Sequence, residues 1–361
     1  MNYVLIYLLF LPVRFLMRLG KKNTGKNLVI QTAKIGDFIN ITPMLRALGK
    51  SDVLISRAVE PLARHDDTIE HYYLIEEAKR SIFRKIGLAM TLMNKYDNVY
   101  LVQPNSVNLF FASLCNASKK SFLRTYVRKS YHNIFYKSAT SIVDHGKTDL
   151  TLNSYLRLIN KNYNYTDFPK HATSPLLTPT NIPSALRSLP SGIKIGISIS
   201  AGNKAKTIPA SEWLKIINRL HTLPCTFYIF GPPAEQPWLD ELLLLIKERE
   251  NIVSLIGKLN LEEVPWAINQ MDFYISSDSG NAYIADAQNV PIIMLYGPCE
   301  IQEQRPVNNV LFLGPENTPA STFVFATKFK FAQPADVLFG LDEHKLSKIE
   351  EFIRYNMDKK S

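Results

Sequence analysis

The strongest constraint in this chain is an alternation that occurs twice. From Asn27 onward, short apolar runs at Leu28–Ile30, Val53–Ile55, Tyr72–Ile75 and Val99–Val102 are separated by helical spacing at Phe38–Leu48, Ser81–Asn94 and Val107–Cys115. Strands that return through helices to lie side by side build a parallel sheet with covered faces. Between about Asn160 and Gly192 the rhythm stops, and Pro169, Pro175, Pro179, Pro183 and Pro190 punctuate a stretch of Asn, Ser and Thr with neither period. It then restarts, with strands predicted at Ile193–Ile197, Phe227–Phe230, Ile252–Leu255, Phe273–Ser276 and Ile292–Leu295. Helices are predicted between them at Ser211–Leu220, Trp238–Lys247, Leu261–Asn269 and Ala282–Gln288. The expected class is α/β, with two doubly wound domains. The boundaries read as a segment over 1–26, a domain over 27–165, a linker over 166–192, a second domain over 193–340 and a closing helix over 341–361. At 361 residues the chain is long enough for two such cores.

Charge separates the halves. Residues 1–150 hold 22 of the 42 Lys and Arg but only 11 of the 32 Asp and Glu, so the first half alone is basic and suits an anionic partner. No nucleic-acid recognition motif accompanies that charge, and nucleic acid is not expected as a partner. Cys115, Cys225 and Cys299 are odd in number, far apart and without close Cys or His spacing, so neither a disulfide framework nor a zinc site is suggested and a reducing compartment fits.

The first 19 residues are apolar apart from Asn2, Arg14 and Arg18, and Lys21, Lys22 and Lys26 follow. A secretory signal places its cations before the apolar run, so cleavage is not expected. The uninterrupted part, Tyr3–Val13, is shorter than the ~20 residues that span hydrocarbon. An interfacial helix on an anionic leaflet is expected, the alternative being a helix packed on the body of the protein.

Three loops carry the chemistry. The first predicted strand runs through Thr32-Ala33-Lys34-Ile35-Gly36-Asp37 into a helix, where Asp37 either caps the helix or serves as a proton acceptor. No Gly-x-Gly-x-x-Gly and no Gly-Lys-Ser/Thr occurs there, which argues against dinucleotide dehydrogenases and P-loop enzymes. After Ser200 come Ala201-Gly202-Asn203-Lys204-Ala205-Lys206, with small residues and two lysines suited to phosphate. Asp278-Ser279-Gly280-Asn281 joins a strand to a helix and offers free N–H groups where a diphosphate can sit.

Taken in order, these pieces resemble a known family. Ile35-Gly36-Asp37 with Thr42-Pro43 and Leu45-Arg46-Ala47-Leu48, Lys206-Thr207-Ile208-Pro209 with Trp213, Phe230-Gly231-Pro232, Leu255-Ile256-Gly257-Lys258, Asp278-Ser279-Gly280, Val290-Pro291 and Tyr296-Gly297-Pro298 follow the order of the ADP-heptose:lipopolysaccharide heptosyltransferases, glycosyltransferase family 9. The match runs from about Leu28 to Pro306. The resemblance implies a GT-B fold, with two Rossmann-like domains facing a central cleft. It further implies an acceptor-binding first domain, a nucleotide-sugar-binding second domain and inverting transfer that needs no metal or cofactor.

On that resemblance Asp37 is the general base, Lys206 a donor-phosphate lysine, and Asp278, Ser279 and Gly280 the donor turn, with Lys204, Asn281 and Tyr283 beside them. The family usually continues the turn as Gly-Pro-x-His, whereas Asn281 and Tyr283 stand here, and Asp286 falls where a small residue is common. Lys34, Arg46, Lys120 and Arg124 are the candidates for acceptor phosphates or carboxylates. The implied partners are a nucleotide-sugar, an anionic glycolipid and the inner-membrane surface, with the protein cytoplasmic and peripheral. A catalytically idle glycan- or lipid-binding relative, or a member using another nucleotide-sugar, is the alternative.

Overall fold

A computed structural model of the chain describes residues 3–359, apart from 176–181, 183, 188, 190, 202–205, 247–250, 327–330 and 332. It divides into two units, Met1–Lys170 and His171–Ser361, so the division falls within the proline-rich stretch.

In the first unit, β1 (Asn27–Ile30), β2 (Ser51–Ile55), β3 (Ile69–Leu74), β4 (Asn98–Leu101), β5 (Lys119–Thr125) and β6 (Ser141–His145) form one sheet in the order β3-β2-β1-β4-β5-β6. All its pairings are parallel, with Ile30 between Leu54 and Leu101. The second unit repeats the order as β12-β11-β10-β7-β8-β9. Its strands are β7 (Ile193–Ser198), β8 (Cys225–Phe230), β9 (Ile252–Ser254), β10 (Phe273–Ser276), β11 (Ile292–Leu295) and β12 (Val310–Leu313). Central strands covered on both faces need side chains that are apolar throughout, and Val29, Ile30, Val99, Leu101, Ile195, Ile197, Ile275 and Ile293 are all fully buried. Each unit has the Rossmann order, in which ligands are taken at the carboxyl ends of the strands where the order reverses.

The helix after β1, α2 (Ile35–Leu48), contains Pro43, which cannot donate to the Ile39 carbonyl one turn earlier. Thr42 fills that gap: its hydroxyl donates to the Ile39 oxygen at 2.8 Å. The Thr42-Pro43 dipeptide is therefore one structural device.

At the amino terminus, α1 (Tyr3–Leu19) packs one face on the first unit's core, with Tyr7 buried and Tyr3, Val4, Ile6 and Phe10 against it. Side chains tie down its last turns. The Asn116 amide donates to the Arg14 carbonyl at 3.0 Å, the Asn94 amide donates to the Met17 carbonyl at 2.6 Å, and Lys21 pairs with Asp97 at 2.5 Å. The 1–26 segment is thus built into the domain by one face. The predicted closing helix forms over Glu343–Asp358, capped by Asp342, and buries Leu346, Ile349 and Ile353 in the second unit's core.

Candidate functional site

The site in the second unit follows from strand order. Since β11, β10 and β7 are neighbours, the loops leaving their carboxyl ends come together. β10 turns at Ser277–Ser279 into the helix Gly280–Ala287. Ser279 is its N-cap, accepting from the Ala282 N–H at 3.4 Å and sharing a 2.7 Å hydrogen bond with the Ser276 hydroxyl. Asp278 is held from three sides. Lys206, from the loop after β7, forms an ion pair with it; the Tyr283 hydroxyl donates to Oδ1 at 2.7 Å; and the Cys299 thiol, from the turn after β11, donates to Oδ2 at 3.5 Å.

The charges in this cluster are mutually set. Burial opposes ionisation of Asp278, but the Lys206 charge and the donated hydrogen bonds outweigh it and hold the carboxyl below its ordinary range. Burial likewise opposes the Lys206 ammonium, and Asp278 with Cys299 overcomes it, leaving Lys206 raised. Burial beside Asp278 pushes the Tyr283 phenol well up and the Cys299 thiol to about 12. The result is a fixed cation next to a helix N-terminus, an arrangement suited to an anion.

Tyr283 differs from its expected place against the donor. Its side chain is fully buried and its hydroxyl is committed to Asp278, so it acts on the site by orienting that carboxylate. Asn281 ties the turn to β7, its amide donating at 3.1 Å to the Ser198 hydroxyl, which also bonds Tyr274 at 2.7 Å. Lys204 lies outside the described residues. Asp286, the departure from a small residue, accepts from the backbone N–H of Val307 and of Asn308 at 2.9 and 2.8 Å, pinning the segment before β12 to this helix. In Tyr296-Gly297-Pro298 the glycine has φ +52°, and a Cβ there would lie 2.4 Å from the Phe339 ring, so no larger residue fits.

In the first unit, Asp37 stands in the first turn of α2, where its Oδ2 accepts from the Lys34 N–H at 3.3 Å. The N-cap itself is Lys34, and Asp37, at N3, takes the reciprocal hydrogen bond of a capping box while staying part-exposed. Neighbouring strand ends fix the loop before it: Gln103 Oε1 accepts from the Thr32 N–H and hydroxyl at 3.1 and 2.9 Å, and Ser56 donates to the Ala33 carbonyl at 2.9 Å.

The four acceptor candidates are held differently. Lys34 is exposed beside Asp37, but Arg46 is in the last turn of α2, about 18 Å away at 1.5 Å per residue. Lys120 is buried inside the unit, donating to the Ser113 carbonyl at 3.3 Å, and burial lowers it to about 7. Arg124 grips Asp144 with two hydrogen bonds of 2.5 and 2.7 Å. Of the four, Lys34 lies beside Asp37, and both Lys120 and Arg124 have structural work. Sequence reasoning missed Cys299, Ser198 and Tyr274, which carry no motif, and also Glu235, whose carboxyl burial raises despite a hydrogen bond from Ser200.

Two doubly wound units, the second with a lysine, a carboxylate and a capped helix N-terminus at its switch point, define a glycosyltransferase fold of the GT-B type. The chain belongs to glycosyltransferase family 9 (heptosyltransferase), whose family model matches residues 86–327. Lipooligosaccharide heptosyltransferase 2 of Haemophilus influenzae is 34% identical over 107 residues, 29% of this chain and 31% of that protein. The match thus spans about a third of that curated relative's length. Among solved structures, ADP-heptose lps heptosyltransferase II of E. coli superimposes with a TM-score of 0.69 at 17% identity, over 92% of this chain and 99% of that one. E. coli heptosyltransferase WaaC with ADP gives 0.64 at 18%, over 92% and 99%. At these identities the two structures establish the fold.

Proposed function

We propose that this protein is an inverting glycosyltransferase that moves heptose from ADP-heptose to a lipopolysaccharide or lipooligosaccharide core acceptor, without metal, as a peripheral protein on the cytoplasmic face of the inner membrane. The observation that carries the reading is the Lys206–Asp278 pair beside the capped N-terminus of Gly280–Ala287. An ammonium has three donors, and Asp278 takes one, leaving others for diphosphate oxygens. In the proposed step the Asp37 carboxylate accepts the acceptor hydroxyl's proton while that oxygen attacks the anomeric carbon. The bond from that carbon to the diphosphate breaks, and Lys206 with the N–H groups of the first helical turn takes up the charge of the departing anion. Family membership and the likeness to a structure solved with ADP support the donor class.

The test is a panel of nucleotide-sugars, with EDTA present, against a core acceptor lacking heptose. ADP release is expected from ADP-heptose and to be undiminished by EDTA. Transfer from another donor only would correct the sugar, loss with EDTA would refute metal independence, and folded protein that binds no nucleotide in calorimetry would refute the activity.

A further inference from the structure

We propose that the outer face of α1 and the first turn of the neighbouring helix Ile82–Met93 form a single surface that seats in an anionic phospholipid leaflet. The inference deepens the peripheral placement proposed above by naming the surface, and its test uses no sugar nucleotide, so each reading can fail alone.

The surface follows from helical spacing. Leu5, Leu8, Leu9, Pro12, Phe15, Leu16 and Leu19 recur at intervals of three and four and lie on one side of α1. All seven are exposed, Leu19 at 77%. The opposite side, with Tyr3, Ile6, Tyr7 and Phe10, is occupied by the domain core. Arg14 also turns inward and donates to Asn116 Oδ1 at 3.1 Å. The helix is thus apolar on two faces, of which the protein covers one. A polar outer face would serve solubility, so a continuous uncharged stripe marks a contact.

A second element extends it. Lys85 reaches the Tyr3 hydroxyl at 3.3 Å, while Asn94 holds the Met17 carbonyl, so the Ile82–Met93 helix runs beside α1 in the same direction. Its first turn carries Ile82 and Phe83, the latter 82% exposed, beside the start of α1. Arg18, Lys22 and Arg84 are exposed on these same segments.

Charge selects the occupant. Residues 1–36 contain six Lys and Arg and no Asp or Glu; Lys21 and Lys26 pair with Asp97 and Glu70 and Arg14 turns inward, while Arg18 and Lys22, with Arg84, are exposed. A second copy docked face to face through α1 would set these cations against each other with no acid from the segment between them. An anionic leaflet neutralises them while its acyl region takes the leucines. The α1 helix has 17 residues and one face engaged by protein, and no helix among the described residues is long and apolar enough to cross a membrane. It lies in the plane of the interface.

Full-length protein is tested by flotation with phosphatidylglycerol-containing and with pure phosphatidylcholine vesicles, at low and high salt. Flotation is expected with the anionic vesicles, weakened by salt. Leu9→Glu/Leu16→Glu should lower partition at least ~10-fold, and Phe83→Glu alone, on the other helix, should lower it measurably. Neither variant should change the thermal midpoint or transfer to a delipidated acceptor. Wild-type protein that stays unbound, or folded variants that float unchanged, overturn the proposal. A wild-type dimer that the same substitutions dissociate, with no flotation, assigns the face to a second copy and overturns it equally.

Discussion

Replacing Lys206 by methionine tests whether the cluster around Asp278 is a built ion pair. Both side chains are largely buried, 18% and 17% exposed. Removing one partner of a buried pair costs ~3–5 kcal/mol, and the lower end, about 3 kcal/mol, applies because both groups retain some water and Tyr283 still donates to Asp278. In a unit of this size that is a fall of roughly 6–12 °C in midpoint. Lys206→Met/Asp278→Asn removes the stranded charge as well, so the double variant should lose at least ~1.5 kcal/mol less than the two single losses added. Urea denaturation of all four proteins at pH 7 measures the cycle. The sign with pH follows. The folded pKa of Asp278 lies below its unfolded value, so its contribution is present above about pH 4 and is lost as pH falls through the folded value. That of Lys206 lies above, so its contribution is present below about pH 10 and is lost as pH rises through the folded value. The gap between wild type and Lys206→Met should therefore close in acid. A single variant within ~1 kcal/mol of wild type, or a double variant that is simply additive, would sink the reasoning.

Asp37→Asn keeps an oxygen to accept from the Lys34 N–H but no longer takes a proton, so stability should hold while transfer falls ~10²–10⁴-fold; activity within a few-fold of wild type would leave Asp37 a cap alone. Tyr283→Phe retains the ring and loses the hydrogen bond to Asp278, worth ~1.5–3 kcal/mol for a charged acceptor, so urea denaturation should show that loss and calorimetry weaker ADP binding. An unchanged midpoint would mean that Lys206 and Cys299 suffice to orient Asp278.

The fold was legible wherever apolar runs were pure. Phe273–Ser276 and Ile292–Leu295 match the observed β10 and β11, because strands buried on both faces leave no room for polar residues. β5 and β6 escaped, since Lys119 to Thr125 reads as polar and Ser141 to His145 hardly alternates; within the first, the buried Lys120 donates to the Ser113 carbonyl. That same contact places Lys120, a candidate for the acceptor, inside the unit: sequence shows charge but not whether the fold buries it. The Asp278-Ser279-Gly280 turn was visible as a local motif. Its third support, Cys299, was not, because only the adjacency of β11 to β10 brings it beside Asp278. At Tyr283 the sequence located the residue, and the structure redirected its hydroxyl from a ligand to a neighbouring side chain.

The phenol at 283 has a kinetic consequence. Asp278 titrates below the ordinary carboxylate range, Lys206 and Tyr283 above their ordinary values, and Cys299 at about 12. An imidazole would change charge near neutrality; this quartet keeps one protonation state between about pH 5 and 9. The Lys206–Asp278 cluster is therefore electrically silent across that window, and any inflection of a pH–rate profile inside it reports a group elsewhere in the protein or on the substrates themselves.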